Sequence, residues 1–263
     1  MPYIIEVVRA GNTIEVSKYY SSRFNKKGIG RGKRKSLTKE EQIVVNKRAA
    51  EKTLRRIINE NFQEGDTHLV LDYKLSERPT GREGMRADAD DFLKEMRKLY
   101  KSLGLVFKYI HVMEIGKKGA LHHHLVINTP EGVSQRKITA NWKGRGRTHF
   151  TPLDDTGQYA KLAEYLIKQS DGMLKDPEAL QGKRWNSSKN LRKPTIIRKE
   201  PIKDKGWYNR IARLPKKLEQ SYYLDGDSVR EGIHEKTGFT FFAYTFVRLN
   251  QTWKETELEW EKL

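Results

Sequence analysis

The stretch ALHHHLVIN, residues 120–128, reads as a buried β-strand that carries three adjacent histidines where valine or leucine would pack without loss of hydration. Residues two apart on a strand share a face, so His122 and His124 point one way while Leu121, His123, Leu125 and Ile127 point the other. Two parallel imidazoles suit a single cation. The alternative for such a run is a hydrogen-bonded structural role.

The preceding stretch, LVFKYIHVMEI (105–115), reads as a second strand, and the connection between them decides where Glu114 lands. A three-residue loop of Lys117, Lys118 and Gly119, with Gly119 in the left-handed conformation, sets Gly116 against Ala120 and Glu114 against His122. Two imidazoles and a carboxylate then converge with open coordination positions, a donor set that accepts Mn²⁺ or Mg²⁺. A two-residue loop instead sets Glu114 against Leu121, on the other face, as an edge-of-strand charge.

Outward from this pair, residues 3–20 read as a hairpin turning at Ala10-Gly11-Asn12. Thr38 followed by Glu41 is the reciprocal capping pattern of a helix whose Ala50, Leu54, Ile57 and Ile58 share a face. THLVLDYK (67–74) is a strand, and residues 87–104 form a helix striped by Phe92, Leu93, Met96, Leu99, Tyr100 and Leu103 and stopped by Gly104. Residues 134–142 are weakly helical, 145–151 suit a strand, and 156–170 suit a helix. A further hairpin follows beyond 206, through SVREGIH, a Glu-Lys-Thr-Gly turn and FTFFAYTFVRL. This order predicts an α+β fold, an antiparallel sheet of split-βαβ type with flanking helices. The expected division is an N-terminal extension over 1–65, a central domain over 66–205 and a C-terminal hairpin extension over 206–263.

The chain has 263 residues, with 52 Lys and Arg against 34 Asp and Glu, a net charge of +18. The excess is clustered. Residues 21–36 hold seven basic side chains and no acid, among them Lys33, Arg34 and Lys35. Residues 183–205 hold nine, including Lys183, Arg184, Lys189, Arg192 and Lys193, interleaved with Trp185. Two such belts suit a polyphosphate partner, although either alone could be a solvated face. The absence of cysteine excludes disulfides and thiolate chemistry, no run is long and apolar enough to cross a membrane, and no lipidation signal accompanies the belts. No membrane partner and a cytoplasmic location are the expectations.

QYAKLAEYLIK carries Tyr159 and Tyr165, which lie about 240° apart around a helix. Tyr159 joins Leu162, Ala163 and Leu166 in an apolar stripe and is expected in the core. Tyr165 lies off the stripe beside Lys161 and Lys168, whose ammonium groups would favour its phenolate and so a nucleophile. An ordinary half-exposed tyrosine is the other reading of this helix.

Together these residues resemble the HUH endonucleases, in particular the rolling-circle replication-associated (Rep) proteins of plasmids and phages related to filamentous-phage initiators. Leu69-Val70-Leu71-Asp72-Tyr73 is similar to their hydrophobic first-motif strand, and His122-His123-His124 with Glu114 to their metal motif, although the middle residue there is usually hydrophobic. LAEYLIK, with Tyr165 and Lys168, is similar to their nucleophile helix, and KRWNSSKNL (183–191) to a later stretch of the filamentous-phage subgroup; the resemblance covers about residues 66–195. It implies nicking and rejoining of single-stranded DNA at an origin through a 5′-phosphotyrosine on Tyr165, with Mg²⁺ or Mn²⁺ on Glu114, His122 and His124 and with Lys168 assisting. Many initiators have a second tyrosine where this chain has Lys161, so a single-tyrosine mechanism is implied. The chain has no G-x-x-x-x-G-K-[ST] motif, which implies a host helicase as partner, and the primer 3′-OH that the resemblance implies calls for a host polymerase. An HUH transposase or conjugative relaxase shares the chemistry, and a non-catalytic basic nucleic-acid-binding module shares the charge.

If the belts contact phosphates, affinity for single-stranded DNA falls with salt at a log–log slope of about −0.7 per phosphate neutralised. Replacing Lys33, Arg34 and Lys35 together is expected to flatten that slope in a binding titration across salt. An unchanged slope would assign the first belt to the solvated surface.

Overall fold

The computed structural model describes residues 3–21, 24, 38–116, 119–171, 184–203, 210–211, 214, 216–234 and 238–249. The chain divides into two compact units, one from segments 1–49, 156–158 and 193–263, the other from 50–155 and 159–192. Each has its own antiparallel five-stranded sheet, so the fold is α+β.

In the first unit, β1 (Tyr3–Ala10) and β2 (Thr13–Tyr20) form the expected hairpin, with Gly11 at a φ of 53°. β8 (Thr195–Pro201) pairs with β1, while β9 (Tyr222–Ile233) and β10 (Thr240–Arg248) complete the order β8-β1-β2-β10-β9. Val7, Ile14, Val16, Phe242, Tyr244 and Phe246 form its core on one face. The units are discontinuous where the sequence reading drew continuous segments, because pairing rather than chain order decides. Backbone hydrogen bonds join β10 to β2 and the belt-derived β8 to β1.

The second unit contains β3 (Thr67–Asp72), α2 (Gly81–Ser102), β4 (Tyr109–Ile115), β5 (Leu121–Ile127), α3 (Gln135–Ala140), β6 (Thr148–Pro152), α4 (Ala160–Gln169) and β7 (Asn186–Ser187). It also holds the second half of α1 (Lys39–Asn61). The cap of α1 is the predicted one: Glu41 N–H donates to Thr38 Oγ1 (3.2 Å) and Thr38 N–H to Glu41 Oε2 (2.9 Å). α2 begins six residues before the expected start. Met85 extends its buried stripe, and Gly84 allows the first turn to lie against Pro79, where a Cβ would come within 2.6 Å of that ring's Cβ.

The sheet order is β6-β3-β5-β4-β7, and both faces are covered. On one face Leu69, Leu71, Leu125 and Ile127 pack with Phe92, Met96 and Tyr100 of α2 and with Trp142. On the other, Ile110, Val112 and Val126 pack with Leu54 and Ile58 of α1 and with Ala163, Leu166 and Ile167 of α4. Burial on both sides explains why Leu125, Val126 and Ile127 run as consecutive apolar residues. Among the described residues no helix is long and apolar enough to cross a membrane.

The end of β3 is held closely. Asp72 N–H donates to Arg147 O (2.9 Å), Lys74 N–H to Arg145 O (2.8 Å), and the buried Trp142 Nε1–H to Asp72 O (2.9 Å). Gly146 lies against this edge, where a Cβ would come within 1.7 Å of Asp72 O. Gly146→Ala must therefore push the backbones apart and is expected to destabilise the protein by about 1–3 kcal/mol. A urea titration that found the variant as stable as the parent would contradict this packing.

Candidate active site

The β4–β5 register follows the three-residue loop. Glu114 faces His122, Ile115 faces Leu121, Gly116 N–H donates to Ala120 O (2.7 Å), and Gly119 has a φ of 72°. Lys117 and Lys118 lie outside the described residues. Glu114, His122 and His124 consequently share a face, and His123 takes the opposite one.

On the first face the side chains pair with one another. His124 Nε2 lies 2.7 Å from Glu114 Oε2, and His124 Nδ1 lies 3.3 Å from His68 Nε2. His122 Nδ1 lies 2.8 Å from Asp72 Oδ1, and His149 Nε2 lies 2.8 Å from Asp72 Oδ2. Among the described residues no three such groups converge as a ready-made metal shell. The donor chemistry nevertheless fits a divalent cation. Imidazole nitrogens together with a carboxylate are donor types that a divalent ion such as Mn²⁺ takes.

The opposite face shows what the middle histidine does. His123 is fully buried, its Nδ1 2.9 Å from His111 Nε2 and its Nε2 2.8 Å from the Tyr73 hydroxyl. The Tyr73 hydroxyl donates to Asp88 Oδ2 (3.1 Å), whose other oxygen pairs with Arg145 Nε (2.8 Å). A carboxylate only accepts, so the single tyrosine proton goes to Asp88. His123 Nε2–H must then donate to Tyr73, and His111 Nε2–H to His123 Nδ1. This run of hydrogen bonds is the structural role, and it sits back to back with the candidate ligands.

Tyr165 lies on α4 and is 41% exposed, its ring edge-on to His124 (centroids 5.5 Å apart) and to His68 (5.8 Å). The helix thus delivers the predicted nucleophile to the histidine face. The lysines do not tune it as expected. The phenol's pKa is raised above its ordinary value, first by burial and further by the Glu114 carboxylate, while a hydrogen bond with Gln169 opposes the rise. Lys161 and Lys168 are exposed. Tyr159 is buried in the core as expected but immediately precedes α4, donating its hydroxyl to Asp154 O (3.0 Å) and its N–H to Asn59 Oδ1 (3.0 Å).

The second belt is less free than its charge implied. Arg184 lies inward, with Nη1 2.5 Å from Asp171 Oδ1 and 3.2 Å from Ser170 Oγ, where it ties down the end of α4. Trp185 packs against the α1–α4 core. Both were expected at a nucleic-acid surface; both are half-buried, just ahead of β7, which pairs with β4. Lys189, Arg192 and Lys193 are exposed, and Arg192 also approaches Glu60 Oε1 at 3.6 Å. Lys33, Arg34, Lys35 and Lys183 lie outside the described residues.

Sequence reasoning missed His68, Asp72 and His149. The available signal was phase: His68 and Asp72 lie four residues apart on β3, hence on one face, and their partners in the ladders are Val126 and His122.

Strands, histidine face and tyrosine helix fall within one segment of the chain. Residues 67–170 match the replication-associated protein ORF2/G2P family. That family carries a role in replication and agrees with the resemblance to filamentous-phage Rep proteins drawn from the motifs. The matched segment of this replication-associated family runs from the first residue of β3 to the C-terminal cap of α4. No curated protein and no solved structure matches the chain.

Burial holds His68 and His111 at a pKa of about 4 and His123 well below 6.5. Unfolding frees these rings to bind protons, so the unfolded state holds more protons than the folded state between about pH 4 and 6.5. Their contribution to stability is full above about pH 6.5 and is lost as the pH falls towards 4. Urea midpoints measured across that window are expected to decline steadily, and a flat profile would contradict the buried neutral rings.

Proposed function

We propose that the protein is a rolling-circle replication initiator that nicks and rejoins single-stranded DNA through a phosphotyrosine on Tyr165. The observation that carries this reading is the position of a partly exposed tyrosine edge-on to His124 on the face that also holds Glu114 and His122. Tyr165 Oη attacks the scissile phosphorus, the P–O3′ bond breaks, and the tyrosine retains the 5′-phosphate while a free 3′-OH leaves to prime synthesis. Attack by a 3′-OH on the phosphotyrosine reverses the exchange. One phosphodiester is replaced by another, so strand transfer needs no nucleotide hydrolysis.

Glu114, His122 and His124 would hold a Mg²⁺ or Mn²⁺ ion, which supplies Lewis-acid polarisation of the scissile phosphate. Because burial and Glu114 raise the Tyr165 pKa, the reactive phenolate has to be favoured by what binds at the site. Lys168, three residues on and exposed, would balance negative charge near the bound phosphate. Lys161, Lys189, Arg192 and Lys193 offer exposed cations to the strand. The natural setting is the host cytoplasm, with a helicase and polymerase of the host extending the 3′-end.

Tyr165→Phe removes only a hydroxyl and is expected to retain DNA binding while abolishing both nicking and the covalent adduct. Tyr159→Phe is expected to keep nicking and to cost at most ~1 kcal/mol of stability through the lost bond to Asp154. Mass spectrometry of the trapped species decides between them. A nucleotide on Tyr159, or cleavage with no protein–DNA bond, would overturn the assignment.

A further inference from the structure

Asp72 closes β3, and every polar atom of the residue is engaged. Its N–H donates to Arg147 O, its carbonyl accepts from Trp142 Nε1–H, Oδ1 lies 2.8 Å from His122 Nδ1 and Oδ2 lies 2.8 Å from His149 Nε2. Gly146 fills the remaining space against its carbonyl. Such a residue has one available position, and its carboxylate can only accept hydrogen bonds. The hydrogen on each imidazole is therefore assigned: His122 carries one on Nδ1 and His149 one on Nε2.

The two candidate ligands on β5 differ in consequence. In His124 the Nε2 hydrogen points at the Glu114 carboxylate, so that nitrogen must give it up before taking a cation. In neutral His122 the Nδ1 hydrogen is spent on Asp72, which leaves Nε2 as the lone pair. We infer that Asp72 is a positioning residue that fixes His122 in the Nδ1–H form and presents its Nε2 to the metal, with His149 holding the carboxylate from its other side. A ligand ring oriented by an outer carboxylate binds more tightly than a free one, because neither the tautomer nor the rotamer has to be selected on binding. The inference rests on the reading of Glu114, His122 and His124 as a metal site, and it assigns the polar end of β3 a task that its hydrophobic residues do not perform.

The test needs no DNA. In the metal-free, ¹⁵N-labelled protein at a pH above 7, long-range proton–nitrogen correlations are expected to show His122 protonated at Nδ1 and bare at Nε2. In Asp72→Ala that preference is expected to disappear, and Mn²⁺ affinity measured calorimetrically to fall by about 10- to 100-fold. An Nε2–H form of His122 in the parent protein overturns the inference without any variant. A loss of Mn²⁺ binding in His122→Ala with none in Asp72→Ala overturns it while leaving the metal reading intact. Equal Mn²⁺ binding by the parent and His122→Ala overturns the metal reading and the inference with it.

Discussion

The register between β4 and β5 is the constraint on which the site depends. A slip of one residue would turn Glu114 away from His122 and exchange the faces of all three histidines. Gly119, in a left-handed conformation that side chains with a Cβ resist, closes the loop at three residues, and the Gly116–Ala120 hydrogen bond closes the ladder beside it. The partners of β5 on its other side obey the same register, since Asp72 of β3 also lies opposite His122. Side chains from three strands meet on one face because two independent ladders agree.

The second consequence is that adjacent histidines do unlike work. His123 is sealed in the α2-covered face and linked to His111, Tyr73 and Asp88, whereas His122 and His124 meet carboxylates on the face that Tyr165 approaches. Burial keeps the inner rings neutral, and neutral rings can act as both donor and acceptor along a chain of hydrogen bonds. A polar core strand of this kind is tolerable only because its groups are paired; a missing partner would leave a buried donor or acceptor at a cost of about 1–3 kcal/mol. The anchoring of His123 from behind thus helps hold its neighbours in phase.

Much of this was legible in the sequence. Period-two alternation placed His122 and His124 together, the three-residue one of two possible loops placed Glu114 with them, and the i, i+3, i+4, i+7 stripe placed Tyr159 in the core and Tyr165 outside it. The unreadable parts were long-range. Asp72 and His149 lie 77 residues apart and meet only because β3 and β6 are neighbours. Arg184 and Trp185 read as part of a belt that contacts nucleic acid, yet charge density along a chain does not reveal that a two-residue strand beside them will pair with β4. The linear division into three segments likewise could not anticipate that β8 leaves the belt to pair with β1. The phenol of Tyr165 was expected to be eased by its lysines, whereas in the fold burial raises its pKa, a hydrogen bond with Gln169 opposes the rise and Glu114 adds to it.

The most direct test of this account is an anomalous-scattering measurement on crystals of the protein soaked in Mn²⁺. The account predicts one peak between Glu114, His122 and His124, on the side of the sheet that faces Tyr165, with His123 still bonded to Tyr73. A peak ligated by His123 or His111, or none at saturating Mn²⁺, would contradict it.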